Sequence, residues 1–286
     1  MKQVFSLLFV SLFFVACQKE EQQVIEQPLA VQSINDVSYG ADGAQKMDVF
    51  LPAGRTSTAT KALIVIHGGA WISGDKADMN QYLPTIKQQL PEYAIFNLNY
   101  RLGTSSANSF PAQENDIKAA VDFIMNKAGE YKFNTTKTVL LGASAGGHLA
   151  LLQGYKQTSP KVKAVVSMFG PTDMAALYNS YPPGSLTQIA LQVLMGGTPA
   201  SNASLYQSSS PVNFVNAQNP PTLLLHGTAD PIVPIAQSTA LKARLETSGV
   251  SVKMVTYQNA GHGDWDDATF AKAYAEIVSF LTANNQ

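Results

Sequence analysis

Five largely apolar runs constrain this chain most: Ala62–Ile66, which is unbroken, and Tyr93–Leu98, Thr138–Leu141, Val162–Met168 and Thr222–Leu225. A run with no polar alternation must be covered on both sides, as in the strands of a buried parallel sheet. Helical stretches lie between the runs. Pro111 opens one with Ile117, Ala120, Val121 and Ile124 on one face, and Ala145–Tyr155, Ile235–Thr247 and Thr269–Leu281 follow. Val37–Tyr39 and Gln45–Leu51 read as two strands closed by the Ala41-Asp42-Gly43 turn, and Ser251–Tyr257 as a last strand. The alternation predicts an α/β fold, a mostly parallel twisted sheet with helices on both faces. Residues 34–286 read as one domain, because no repeat or linker interrupts them. At 45% hydrophobic and 14% charged, the 286-residue chain has ample core material. A net charge of −1 without a basic patch speaks against a nucleic-acid partner. One cysteine excludes an internal disulfide framework, and His67, His148, His226 and His262 lack metal-ligand spacing, so neither a metal nor another cofactor is expected.

One segment breaks the rhythm. Residues 174–229 contain no Asp, Glu, Lys or Arg. Residues 222–226 are a buried strand, where this is expected; about 174–219 read as a small cap-like insertion over the carboxyl ends of the strands, where open α/β sheets bind ligands. Leu186–Met195 is its helical patch. Gln188 and Gln192 interrupt the apolar groups, so no exposed apolar lid is expected, and Tyr178, Tyr181 and Tyr206 suit stacking on sugar or aromatic faces.

The amino terminus reads as an address. Lys2 precedes an apolar run, Val4–Ala16, shorter than the ~20 residues a spanning helix needs. A positive start, a short apolar run and a small residue describe a secretory signal. Phe14-Val15-Ala16-Cys17 resembles a bacterial lipobox, with Phe14 where Leu is usual, which implies lipidation at Cys17 and a signal peptide over 1–17. Gln18-Lys19-Glu20-Glu21 resembles the acidic signal that sends some lipoproteins to the cell surface. Residues 18–33, rich in Gln and Glu, read as a tether. The expectation is an exported lipoprotein of the outer membrane, held there by its lipid alone.

Gly142-Ala143-Ser144-Ala145-Gly146 follows the apolar Val139-Leu140-Leu141 and opens a helix-forming run. A serine hydroxyl can attack only if it stands clear of the sheet, on a turn so sharp that side chains two positions either way have no room. Serine needs a base. His262, in Gly261-His262-Gly263 after the last strand, fits that role; His148 reads as packed in the helix after Ser144, His67 as a strand end, and His226 as fixing a loop. The base needs an acid to hold its tautomer. Asp230 follows the strand Thr222–Leu225, whereas Asp264, Asp266 and Asp267 read as caps of the last helix. An oxyanion hole is expected from the Ala145 N–H and from Gly68 and Gly69 in His67-Gly68-Gly69-Ala70-Trp71.

These motifs, with Tyr100-Arg101, Gly170-Pro171-Thr172-Asp173 and His226-Gly227-Thr228-Ala229-Asp230, resemble the α/β-hydrolases of the esterase/lipase group marked by H-G-G-x-W. The likeness is greatest to microbial carbohydrate acetyl and feruloyl esterases and the related formamidases. Ala70 stands where hormone-sensitive-lipase-like members carry a third glycine. The resemblance implies a serine ester hydrolase acting on short-chain or aromatic acyl esters, of carbohydrates or small molecules. Trp71, Phe169 and Tyr178 are candidates for substrate contact. An amidase, formamidase or peptidase on the same three residues, and a non-catalytic surface-binding lipoprotein, remain open alternatives.

Overall fold

The structure, a computed structural model, describes residues 27–286. The signal peptide over 1–17, Cys17 and most of the tether lie outside the described residues. Eight strands form one sheet: β1 (Gln32–Ser38), β2 (Lys46–Leu51), β3 (Lys61–Ile66), β4 (Tyr93–Leu98), β5 (Thr138–Ala143), β6 (Ala164–Met168), β7 (Thr222–Gly227) and β8 (Val252–Tyr257). Their order is β1-β2-β4-β3-β5-β6-β7-β8. From β4 to β8 every pairing is parallel, and β1 and β2 add an antiparallel edge. β1 begins at Gln32, within the stretch read as tether, because Gln32, Ser33 and Ile34 pair with Leu51, Phe50 and Val49.

The runs that lack a polar face are the ones buried on both. β4, for example, is buried along its whole length. β2 alternates instead, sending Met47, Val49 and Leu51 inward. The helices are α1 (Leu83–Gln89), α2 (Ala112–Asn126), α3 (Ala128–Tyr131), α4 (Ala145–Lys156), α5 (Met174–Ser180), α6 (Leu186–Leu194), α7 (Ala203–Ser208), α8 (Ala236–Thr247) and α9 (Asp267–Asn284). On one face Ile64, Ile66 and Leu140 pack with α2, α4 and α8, through side chains such as Val121, Leu149 and Leu241. On the other, Leu63, Val65 and Leu141 pack with Leu83 and Ile86 of α1 and Ile277 and Phe280 of α9. Asp266 caps α9 by accepting from the Thr269 N–H at 2.7 Å.

The uncharged insertion between β6 and β7 is helical, formed by α5, α6 and α7. Two expectations for it need correction. Winding into a helix gathers Leu186, Ile189 and Val193 onto one face, 86%, 47% and 42% exposed, so an apolar stripe does face solvent. Tyr206 cannot stack on a ligand: it is 1% exposed and its hydroxyl donates to the Gly197 carbonyl at 3.0 Å.

Candidate active site

Loops leaving the carboxyl ends of β3, β5, β7 and β8 meet on one rim of the sheet. Ser144 sits between β5 and α4 at φ 54°, ψ −120°, a conformation that costs energy outside glycine. Packing holds it there. Its N–H donates to the Met168 carbonyl at 2.8 Å. Gly146 lies so close to β3 that a Cβ would stand 2.1 Å from the Ile66 carbonyl oxygen, so no larger residue fits the turn.

The turn aims the hydroxyl at His262. Ser144 Oγ and His262 Nε2 are 2.8 Å apart, and His262 Nδ1 is 2.7 Å from Asp230 Oδ2. The three residues are 118 and 32 positions apart in sequence along this line. With Nδ1–H donating to the carboxylate, Nε2 is free to accept from the serine. The Asp230 side chain is fully buried and the His262 side chain 12% exposed. Burial pushes the Asp230 carboxyl up, but hydrogen bonds from His226, His262 and the Val233 N–H outweigh it and hold the group well below the usual carboxylate range. Asp230 Oδ1 accepts from the N–H groups of Ile232 at 2.9 Å and Val233 at 2.8 Å.

His226 does more than fix a loop. Its Nε2–H donates to the Val233 carbonyl at 2.8 Å and stands 3.3 Å from Asp230 Oδ2, while the Ser238 hydroxyl meets Nδ1 at 2.7 Å. It therefore braces Asp230 from behind. The only sequence hint is its place four residues before Asp230.

Opposite Ser144 runs the loop after β3. A Cβ on Gly68 would lie 3.2 Å from the Ser144 Cβ, so this backbone runs close beside the Ser144 residue. The Gly69 carbonyl turns away, accepting from the N–H groups of Ile72 at 3.1 Å and Ser73 at 2.9 Å. Ala145 opens α4, so its N–H has no acceptor within the helix. Tyr100 braces the loop by stacking on His67, ring centroids 4.4 Å apart, and its hydroxyl reaches the carbonyls of His67 and Gly68 at 3.2 Å each.

The three candidate contact residues separate. Phe169 is 6% exposed and presses edge-on against the His262 ring at 4.8 Å, which orients the imidazole. Tyr178 ties α5 to α6 through a 3.3 Å hydrogen bond from its hydroxyl to Gln192. Trp71 is 4% exposed, yet with Leu177, Tyr181, Leu191 and Leu194 it lines a small apolar pocket of about 50 Å³ next to Ala70. Among the described residues no group of three or more His, Cys, Asp or Glu side chains converges as a metal site. Arg101 turns inward onto buried Asp116, 2.7 Å away.

Trp71 is also anchored. Its Nε1–H donates to His148 Nδ1 at 3.1 Å, so the His148 proton sits on Nε2 and donates to the Ser209 carbonyl at 2.7 Å. This links the loop facing Ser144, helix α4 and the end of the insertion. Burial pushes the His148 imidazole down to about 4. Below pH ~6.5 the unfolded chain takes up that proton first, so this contribution to stability is present above 6.5 and is lost as pH falls towards 4, by ~3 kcal/mol in total. Denaturant unfolding from pH 7 to 4 should show that loss in the wild type and a shallower slope in His148→Gln. Equal slopes would remove His148 as the titrating group.

A model of the BD-FAE family matches residues 47–245. The chain belongs to the BD-FAE family. This BD-FAE chain has an α/β-hydrolase fold. Among similar proteins is the esterase LipQ of Mycobacterium tuberculosis, 27% identical over 86% of this chain and 61% of LipQ. The probable carboxylic ester hydrolase LipM of the same organism is 29% identical over 78% of this chain and 53% of LipM. The BD-FAE chain thus spans less than two thirds of the length of these curated relatives. A solved structure of a truncated carbohydrate esterase from gut microbiota superposes with a TM-score of 0.77 at 27% identity, over 89% of this chain and 96% of the other.

Proposed function

We propose that the protein is a serine carboxylic-ester hydrolase that cleaves short acyl groups from glycan esters. The observation that carries this reading is the line from Ser144 Oγ through His262 to Asp230, at 2.8 and 2.7 Å. In the proposed reaction the Ser144 oxygen attacks the ester carbonyl carbon while His262 Nε2 takes its proton. The oxyanion is held by the N–H groups of Ala145, Gly68 and Gly69. Collapse of the intermediate breaks the bond to the alcohol oxygen, which leaves with the proton from His262. Water then repeats the sequence on the acyl-enzyme and restores Ser144. Asp230 remains ionised throughout, in keeping with its lowered pKa.

The glycan part of the proposal draws on the likeness to a carbohydrate esterase of gut microbiota. The short acyl part draws on the pocket beside Ala70, at about 50 Å³, since a cavity that binds benzene measures about 150 Å³. That size favours small aliphatic acyl groups over aromatic ones. Export as a lipoprotein through Cys17 belongs to the proposal on sequence grounds.

On p-nitrophenyl esters kcat/KM should peak between acetate and butyrate. It should fall roughly tenfold for every one to two further methylenes that find no slot, because a methylene is worth up to ~0.8 kcal/mol only where a slot exists. The exposed stripe of Leu186, Ile189 and Val193 favours a second reading, a lipase working at an oil surface. A peak at dodecanoate or longer, with rate activation by an emulsion, would select it.

A further inference from the structure

A groove of about 440 Å³ runs between α1 and α9, apart from the pocket beside Ala70. Its floor is aromatic. The rings of Tyr82 and Phe270 are 5.3 Å apart, those of Tyr82 and Tyr274 6.2 Å, and Phe270 and Tyr274 lie within 24° of parallel. All three are partly exposed. Gln81, Thr85 and Gln89 line it from the α1 side and Asp267 from α9. No Lys, Arg or His lines it.

Both helices begin on the rim that carries Ser144, and the aromatic contacts continue to the site itself. His262 meets Phe169 at 4.8 Å, Phe169 meets Trp265 at 5.3 Å, and Trp265 meets Phe270 at 5.5 Å. A ligand in the groove therefore lies alongside the loop that carries His262.

We propose that this groove is a binding site for the unsubstituted backbone of a neutral polysaccharide. The apolar faces of pyranose rings match half-exposed aromatic faces, and ring hydroxyls match neutral amides, a hydroxyl and a carboxylate at the margin. Asp267, in a lining that holds no Lys, Arg or His, disfavours uronic acids. A glycan held here keeps its acylated units at high local concentration near Ser144, which lowers KM for polymer without changing the chemical step. The use of the groove rests on the ester-hydrolase reading; the binding itself does not.

The test is calorimetric titration of the Ser144→Ala protein with xylohexaose, mannohexaose and hexagalacturonate, with and without Ala271→Arg. Ala271 is an exposed residue of α9 on the groove wall, so arginine there fills the groove without removing packing. At least one neutral hexasaccharide should bind, and Ala271→Arg should weaken it tenfold or more. In otherwise wild-type protein the same change should raise KM for acetylated polysaccharide about tenfold at constant kcat and leave p-nitrophenyl acetate hydrolysis unaltered. Failure of both neutral hexasaccharides to bind, binding of hexagalacturonate alone, or binding indifferent to Ala271→Arg would overturn the proposal. Binding that responds to Ala271→Arg, in a protein whose wild type does not hydrolyse p-nitrophenyl acetate, would uphold the groove and sink the esterase reading.

Discussion

Ser144→Ala should lower kcat on p-nitrophenyl acetate by on the order of 10⁴–10⁶ and leave the fold unchanged. The loss follows from geometry: the hydroxyl is the atom His262 faces at 2.8 Å, and alanine leaves that imidazole with nothing to activate. The fold should survive because the turn is held by backbone. Its strained dihedral is fixed by the Ser144 N–H to the Met168 carbonyl and by the close approach of Gly146 to β3, neither of which uses the hydroxyl. A fluorophosphonate should label the wild type once, at Ser144, and leave the variant unlabelled. Labelling distinguishes an enzyme from a protein that only binds esters, because covalent capture needs a nucleophile activated by its base. A residual rate within tenfold of wild type, in protein free of contaminating esterase, would remove Ser144 from the chemistry. Failure of the fluorophosphonate to label the wild type would favour the non-catalytic alternative.

The features legible in the sequence are those set by neighbours along the chain. Runs such as Ala62–Ile66 and Tyr93–Leu98 can only be strands covered on both faces, so the parallel sheet follows from composition over five or six residues. Ser144, Asp230 and His262 could be named because each stands on a glycine-marked turn after a strand. The structure brings Ser144 and Asp230 each within hydrogen-bonding reach of His262. What stayed hidden depends on contacts between distant segments. Trp71 meets His148 across 77 positions, and His148 meets Ser209 across 61, so no local pattern could show that Trp71 is an anchored side chain. Helix α1 is only seven residues long, too short to establish a period. Tyr206 and Tyr178 look alike in sequence, yet one is buried and the other half-buried, a difference decided by how α5, α6 and α7 pack together.

Asp230→Asn should cost about 10⁴ in kcat, and the reason lies in the four groups around the carboxylate. Two are the backbone N–H groups of Ile232 and Val233, donating to Oδ1. The other two are His262 Nδ1 at 2.7 Å and His226 Nε2 at 3.3 Å, both facing Oδ2. A carboxylate satisfies four donors; an amide has one accepting side. The backbone N–H groups cannot change role, so the asparagine oxygen must take the Oδ1 place and its NH₂ must face the two histidines. His262 then relieves the clash by moving its proton to Nε2, which points that N–H at Ser144 and removes the base. The fold should be preserved, because asparagine matches aspartate in shape and keeps the two backbone bonds. KM should change little beside the fall in kcat. Asp264→Asn is the control, since Asp264 is exposed and its carboxylate lies against Gly261. It should lose less than tenfold. A larger loss in Asp264→Asn than in Asp230→Asn would move the acid to Asp264 and leave the buried carboxylate between two histidines with a structural role.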